Sequence, residues 1–241
     1  MRYAVVSDIH GNIEALDAVL ERAGEGTRLL CLGDVVGYGP SPNECVARLR
    51  ERGAEAVLGN HDVAAIDNFG LQYFNPAARA AIEWTQGVLQ DDHVHWLSEL
   101  SYEIRRPAYL MVHGAPVTYF AYILDKAAAA VAFGATDAPL IFVGHTHIAE
   151  YYAQRADGTI EHRHMQQGGT LALEPQQRYL VNVGSVGQPR DLNPEASFAI
   201  YDDQRQTVTW ERVAYAIDVV REKIGAVHLP EMLGERLLSG R

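Results

Sequence analysis

Two rhythms of apolar residues divide the chain. Through the first third, short apolar runs alternate with segments whose apolar residues return every three or four positions, so strand and helix take turns. Residues 3–7, 28–32 and 55–58 are expected to be strands. Between them Ile13, Leu16, Leu20 and Ala23 share one face of a helix over 12–23, capped by Asn12. A second helix opens from the glycine- and proline-rich loop 37–42 and runs to about Arg52. From about 64 to 101 the texture turns helical: Ala77, Ala80, Ala81 and Trp84 share a face, and a shorter helix follows over 93–100. This stretch is expected to be an insertion near the functional residues rather than a separate domain. Strands return over 103–112 and 140–143, separated by an alanine-rich helix over 125–133.

The last hundred residues keep a different rhythm. Strands are expected over 149–155, 159–164, 179–183, 197–202 and 208–213, with Asp157-Gly158 as a hairpin turn. Consecutive strands without intervening helices imply antiparallel pairing, so the α/β architecture is mixed. The tail, about 215–241, is helical with a break at Pro230. Its face of Ile217, Val220 and Ile224 would dock on the protein's own sheet or on a partner, which leaves a homo-oligomer open. No repeat, low-complexity tract or linker divides the chain, and one domain over 1–241 is expected.

Five of these strands end in the same kinds of residue: Asp8 and His10, then Asp34, then Asn60 and His61, then His113, then His145 and His147. Ligands of open α/β sheets bind outside the carboxyl ends of the strands, where residues distant in sequence converge. Two carboxylates, an amide and several imidazoles suit divalent first-row metals such as manganese, iron, zinc or nickel. Even with His61 set aside, seven oxygen and nitrogen donors are too many for one tetrahedral ion and suit a bridged pair. Two divalent ions against Asp8 and Asp34 would leave about two positive charges, which suits an anionic phosphate.

Composition narrows the setting. The 241 residues carry a formal charge of −11, which repels a long phosphate backbone and argues against nucleic-acid coating. Cys31 and Cys45 are the two cysteines, both within apolar patterns, and are expected to pack as small core residues. The chain starts directly in a strand, and no apolar run approaches the length of a membrane span. A cytoplasmic protein without a membrane partner is the expectation.

The motifs Asp8-x-His10, Gly33-Asp34, Gly59-Asn60-His61-Asp62, His113-Gly114 and Gly144-His145-Thr146-His147 resemble those of calcineurin-like metallophosphoesterases. The stretch from Val181 to Arg190 further resembles the small bacterial and archaeal branch often called YfcE-like. The resemblance implies a four-layer αββα sandwich of two mixed sheets flanked by helices. It also implies that Asp8, His10 and His147 hold one metal, that Asn60, His113 and His145 hold the other, and that Asp34 bridges them. His61 would donate a proton to the leaving oxygen or clamp the phosphate. Asp62 would orient His61 or cap a helix. Arg190 would grip phosphate or pair with Asp191. Tyr38, Asn43 and Tyr119 would line the pocket mouth or serve ordinary packing and turns. Serine/threonine protein phosphatases carry Asp-Arg-Gly after the bridging aspartate, whereas this chain has Val35-Val36-Gly37, which argues against that activity.

The implied function is a dinuclear metal-dependent phosphoesterase, a phosphodiesterase or phosphatase. It would hydrolyse a small phosphate mono- or diester, including nucleotides, through attack by metal-bound hydroxide. The alternatives are a non-catalytic protein-interaction scaffold on the same fold and a nuclease on short oligonucleotides. His93 and His95 lie on helical spacing that does not bring them face to face. His162 and His164 share a strand face and are expected to be a solvated pair. His228 is expected at the surface.

Overall fold

The computed structural model describes residues 1–241. Strands β1 (Arg2–Val6), β2 (Arg28–Cys31) and β3 (Glu55–Ala56) alternate with helices α1 (Ile13–Ala23) and α2 (Pro42–Glu51). Asn12 caps α1 by accepting the amide of Ala15, and Pro42 starts α2 with the φ a first turn needs. Then come α3 (Asn60–Asp67), α4 (Pro76–Val88), α5 (Asp91–Ser98), β4 (Glu103–Arg105), β5 (Leu110–Val112), α6 (Lys126–Gly134) and β6 (Leu140–Val143). The remaining strands are β7 (Ala149–Gln154), β8 (Ile160–His164), β9 (Gly169–Ala172), β10 (Arg178–Val183), β11 (Ala196–Asp202) and β12 (Thr207–Val213). Helices α7 (Ile217–Ala226) and α8 (Met232–Glu235) close the chain. No helix is long and apolar enough to cross a membrane.

The strands form two six-stranded mixed sheets, ordered β3-β2-β1-β11-β12-β9 and β4-β5-β6-β10-β7-β8. Strict side-chain alternation makes the layers. Val5 of β1, Leu30 of β2 and Ala199 and Tyr201 of β11 face Phe142 of β6 and Val181 of β10 in a core between the sheets. Their neighbours Ala4, Val6, Leu29, Cys31, Phe198 and Ile200 face α1 and α2 in a second core. Leu180, Ile141 and Val143 pack under Ala129 and Phe133 of α6 on the far side. The result is the αββα sandwich that the motifs implied, with Cys31 and Cys45 buried as small core residues.

Two local expectations change, and one strand appears that none foresaw. The strand expected over 103–112 is a hairpin, because Arg106 and Tyr109 close a turn around Pro107. β9 had no forecast. It pairs with β12 but is largely exposed, so no apolar period marks it. The tail packs on the helical layer rather than on a sheet: Val220, Ile224, Leu229, Leu233 and Leu237 meet Tyr38, Ala78 and Ala81. Its helices therefore back the wall on which Tyr38 sits. The turn at Asp157-Gly158 joins β7 to β8 as expected, with Gly158 at φ 83°.

Candidate metal centre

β1, β2 and β3 run parallel, and so do β5 and β6, so their carboxyl ends meet along one rim. The loops there are stitched together by backbone. The amides of Asp8, His10 and Gly11 donate to the carbonyls of Gly33, Asp34 and Val35, and that of Gly144 donates to His113. Val186 and Gly187 clip onto Ser7 and Asp8 from the other direction. This clamping holds an unusual backbone: Asp8, His10, Asp34, His145 and His147 all have φ between 50° and 67°. Left-handed non-glycine residues cost on the order of 1–3 kcal/mol each and persist where the surroundings over-determine them. The same close approach excludes side chains at two glycines. A Cβ on Gly59 would collide with the Asp34 carboxylate, and one on Gly144 with Ser7 and Asp8.

Six of the expected donors converge here, and Asn60 lines the cavity beside His145. Asp8, His10 and His147 bring one donor atom each within 4.8 Å of one another, and so do Asp34, His113 and His145. Asp34 Oδ2 lies between the groups, 3.6 Å from His10 Nε2 and 3.3 Å from His113 Nε2. Four imidazoles are oriented by backbone carbonyls: His10 Nδ1 by Val36 at 3.2 Å, His113 Nδ1 by Leu32 at 2.8 Å, His147 Nδ1 by Gln188 at 2.7 Å, and His145 Nε2 by Phe120 at 3.0 Å. A neutral ring that donates one N–H to a carbonyl presents its other nitrogen as a lone pair, the arrangement of metal-binding histidines. Those second nitrogens meet in pairs, His10 with His147 at 3.2 Å and His113 with His145 at 3.0 Å.

Unpartnered oxygens point the same way. Asp34 uses Oδ1 to accept the amide of His61 at 2.8 Å, while its buried Oδ2 and the buried Oδ1 of Asn60 have no hydrogen-bond partner. Buried polar atoms without partners are costly and rare in proteins. The site also draws positive charge. Burial opposes a charged His113, yet Asp34 and Asp8 raise it to about 9. Burial alone would raise the carboxyl groups, but the histidines hold Asp8 and Asp34 well below the usual carboxylate range. Burial pushes His145 down to about 3 and His10 well below its ordinary value, leaving them as neutral donors. Lone-pair nitrogens, two ionised carboxylates and two orphaned oxygens fit divalent cations.

The flanking residues divide. His61 lines the adjoining cavity with its Nδ1 unpartnered, and its ring sits 4.7 Å from that of His10 and 4.5 Å from that of Tyr38. Burial lowers it to about 4. Asp62 takes the capping alternative and makes no contact that orients His61. Its carboxylate accepts the amides of Gly59, Val35 and Val36, tying α3 to the loop after Asp34. Arg190 is not paired with Asp191, which binds Arg212 instead. Its guanidinium lies 5.7 Å over the Tyr38 ring and donates to Gln188 at 2.9 Å, with Nε unpartnered.

Tyr38 lines the cavity, whereas the other two mouth residues serve structure. Asn43 brackets Val88, Gln90 and His93, and Tyr119 stacks on Tyr102. Asn182 carried no expectation, yet its amide donates to Gly144 and Thr146 and so supports the loop bearing His145 and His147. Only its place in the Val181–Arg190 motif hinted at it. His162 and His164 are not a solvated pair: both turn to buried Glu150, at 2.7 Å and 3.4 Å, because β8 pairs with β7 in that register. Burial raises Glu150 to about 7.

A family model described as the calcineurin-like phosphoesterase superfamily domain matches residues 1–206. An uncharacterized protein of Methanocaldococcus jannaschii is 38% identical over 246 residues, covering 99% of this chain and 98% of its own. A metallophosphoesterase from Sphaerobacter thermophilus superposes with a TM-score of 0.90 at 40% identity, with 100% of both chains covered. A hypothetical protein from Pyrococcus horikoshii has the same fold, with a TM-score of 0.80 at 21% identity over 100% of this chain and 98% of its own.

Proposed function

The chain belongs to the calcineurin-like phosphoesterase superfamily, and from that premise we propose that it hydrolyses a small phosphate mono- or diester at the centre described above. Asp8, His10 and His147 would hold one divalent cation, Asn60, His113 and His145 a second, and Asp34 both. Bound there, the cations supply Lewis-acid charge beside the phosphoryl group. The observation that carries this reading is the pair of donor groups meeting at the unpartnered oxygen of Asp34.

The chain's own groups then act on the ester. Arg190 is a fork without a carboxylate partner at the rim of the site, placed to take phosphate oxygens. An anionic phosphate bound beside His61 would favour its imidazolium, the form that has a proton to give. As the bond from phosphorus to the ester oxygen breaks, that proton would go to the departing oxygen.

The test is turnover of 4-nitrophenyl phosphate and bis(4-nitrophenyl) phosphate with manganese, zinc or nickel added, abolished by a chelator and restored by metal. Two bound equivalents without turnover under any metal would overturn the reading in favour of a scaffold. A second expectation concerns Arg190. Arg190→Ala should raise KM about 10- to 100-fold, the range for a hydrogen bond to a charged group, with metal content unchanged. Arg190→Lys should recover only part of the loss, since it keeps the charge without the fork. An unaltered KM in both variants would remove Arg190 from the site.

A further inference from the structure

The cavity that opens onto His61, Asn60 and His145 has a volume of about 400 Å³, more than a phosphate group needs and within the range of small-ligand sites. Its walls are aromatic. One wall is the segment between α3 and α4, with Phe69, Tyr73 and Phe74, joined by Tyr38; the other is the loop after β5, with Phe120 and Tyr122. The inner rings are locked to the centre itself. Phe74 meets the His61 ring edge-on at 4.7 Å, and Tyr122 stacks on His145 at 3.9 Å and 14°. The outer rings are left in water, Tyr73 85% and Phe69 64% exposed, and Tyr122 stays half-exposed on the side away from His145.

Large exposed aromatics gathered around one opening are unusual on a soluble surface and mark a binding place. Nothing within the chain covers them. The backbone is shaped to present them: Asn68 ends α3 in the left-handed region, and Gly70 follows with φ 78°. Apart from Asn60, His61 and His145 at the centre and the tyrosine hydroxyls, Asn75 is the one polar side chain in the lining. The Asn75 side chain is already engaged in capping α4 at Ala78.

We propose that this aromatic vestibule binds the planar base of a nucleotide whose phosphate lies at the metal centre. The inference rests on the phosphoesterase reading and deepens it. Stacking needs only a π-face, so the slot takes different bases alike and discriminates against esters that have none. The phosphate is drawn by the cations and Arg190, the ring by the walls, and the sugar spans the gap between them.

The experiment compares adenosine 5′-monophosphate with ribose 5-phosphate, which share the phosphate and the leaving oxygen and differ in the base. With turnover, the nucleotide should be favoured about 10- to 100-fold in kcat/KM, the range that stacking on aromatic side chains supplies. Guanosine 5′-monophosphate should fall within about threefold of the adenosine ester. The double variant F69A/Y73A removes two exposed rings with little demand on folding, and should narrow the nucleotide-to-ribose ratio to about threefold. Equal values for the two esters, or an advantage that survives the double variant, overturn the proposal. An advantage for phenyl phosphate without one for the nucleotides assigns the walls to a smaller aryl group and also overturns it. If neither ester is turned over, calorimetry makes the same comparison as dissociation constants, undisturbed by hydrolysis. A nucleotide preference there supports the vestibule and leaves the catalytic reading to the nitrophenyl esters, and absence of binding by both removes the vestibule.

Discussion

Asp34→Asn should leave the fold intact and cost the protein both its second equivalent of metal and about 10³-fold or more in kcat/KM. That exceeds the 10²–10³ typical of losing one electrostatic contact to a transition state. The substitution barely changes volume, and the carboxamide can still accept the His61 amide that Oδ1 now takes at 2.8 Å. What it removes is charge and a lone pair at one place. Oδ2 faces His10 Nε2 at 3.6 Å and His113 Nε2 at 3.3 Å, nearer to both than Asp8 Oδ1 at 3.9 and 4.0 Å. An amide NH₂ there would turn donors toward cations, and an amide oxygen would still lack the negative charge. Because the carboxylate is fully buried, that charge acts through a weakly screening interior, where one unit at this range outweighs any surface pair. The measurement is metal content after gel filtration, beside steady-state kinetics and far-ultraviolet circular dichroism. Two equivalents of metal and near wild-type turnover in a folded variant would show that Asp34 bridges nothing.

What the sequence made legible is tied to period and position. Val5, Leu30, Phe142 and Val181 alternate with their neighbours, so the strands could be placed, and the Asp and His residues just beyond them had to share a rim. That is why Asp8, His10, Asp34, His113, His145 and His147, which the structure brings together, could be picked out from the chain alone. The backbone that aims them did not, because nothing in a residue name announces a left-handed φ at Asp8 or His147. Registers between strands were equally hidden. His162 and His164 showed the spacing of a shared face, but only the pairing of β8 with β7 sets buried Glu150 opposite them. The vestibule was illegible for a related reason: Tyr73 and Tyr122 come from loops 49 positions apart and meet only through the packing of two sheets. Pro107, by contrast, was a visible signal for the turn that splits the strand expected over 103–112.

His61→Gln should retain two equivalents of metal and lose about 10²–10⁴ in kcat, the usual worth of a positioned proton donor. The size of the loss should depend on the ester. An alkoxide departing from a sugar or alkyl phosphate must be protonated, whereas 4-nitrophenolate leaves as a stable anion. The alkyl ester should therefore suffer at least about tenfold more than the nitrophenyl ester. Equal losses for both would assign His61 to clamping the phosphate. Metal content separates both roles from ligation, a distinction the geometry makes necessary, since His61 also comes within 4.8 Å of donor atoms on His10 and Asp34. Two features favour the donor role. The amide of His61, not its ring, is what holds Asp34, so the imidazole is free of structural hydrogen bonds. Its three aromatic neighbours, His10, Tyr38 and Phe74, fix the ring by packing alone, at centroid distances of 4.7, 4.5 and 4.7 Å. Glutamine keeps a polar group of similar reach in that slot, so the loss measures proton transfer more than a collapsed cavity. A variant that binds one metal fewer would instead place His61 among the ligands and leave the departing oxygen to be protonated by water.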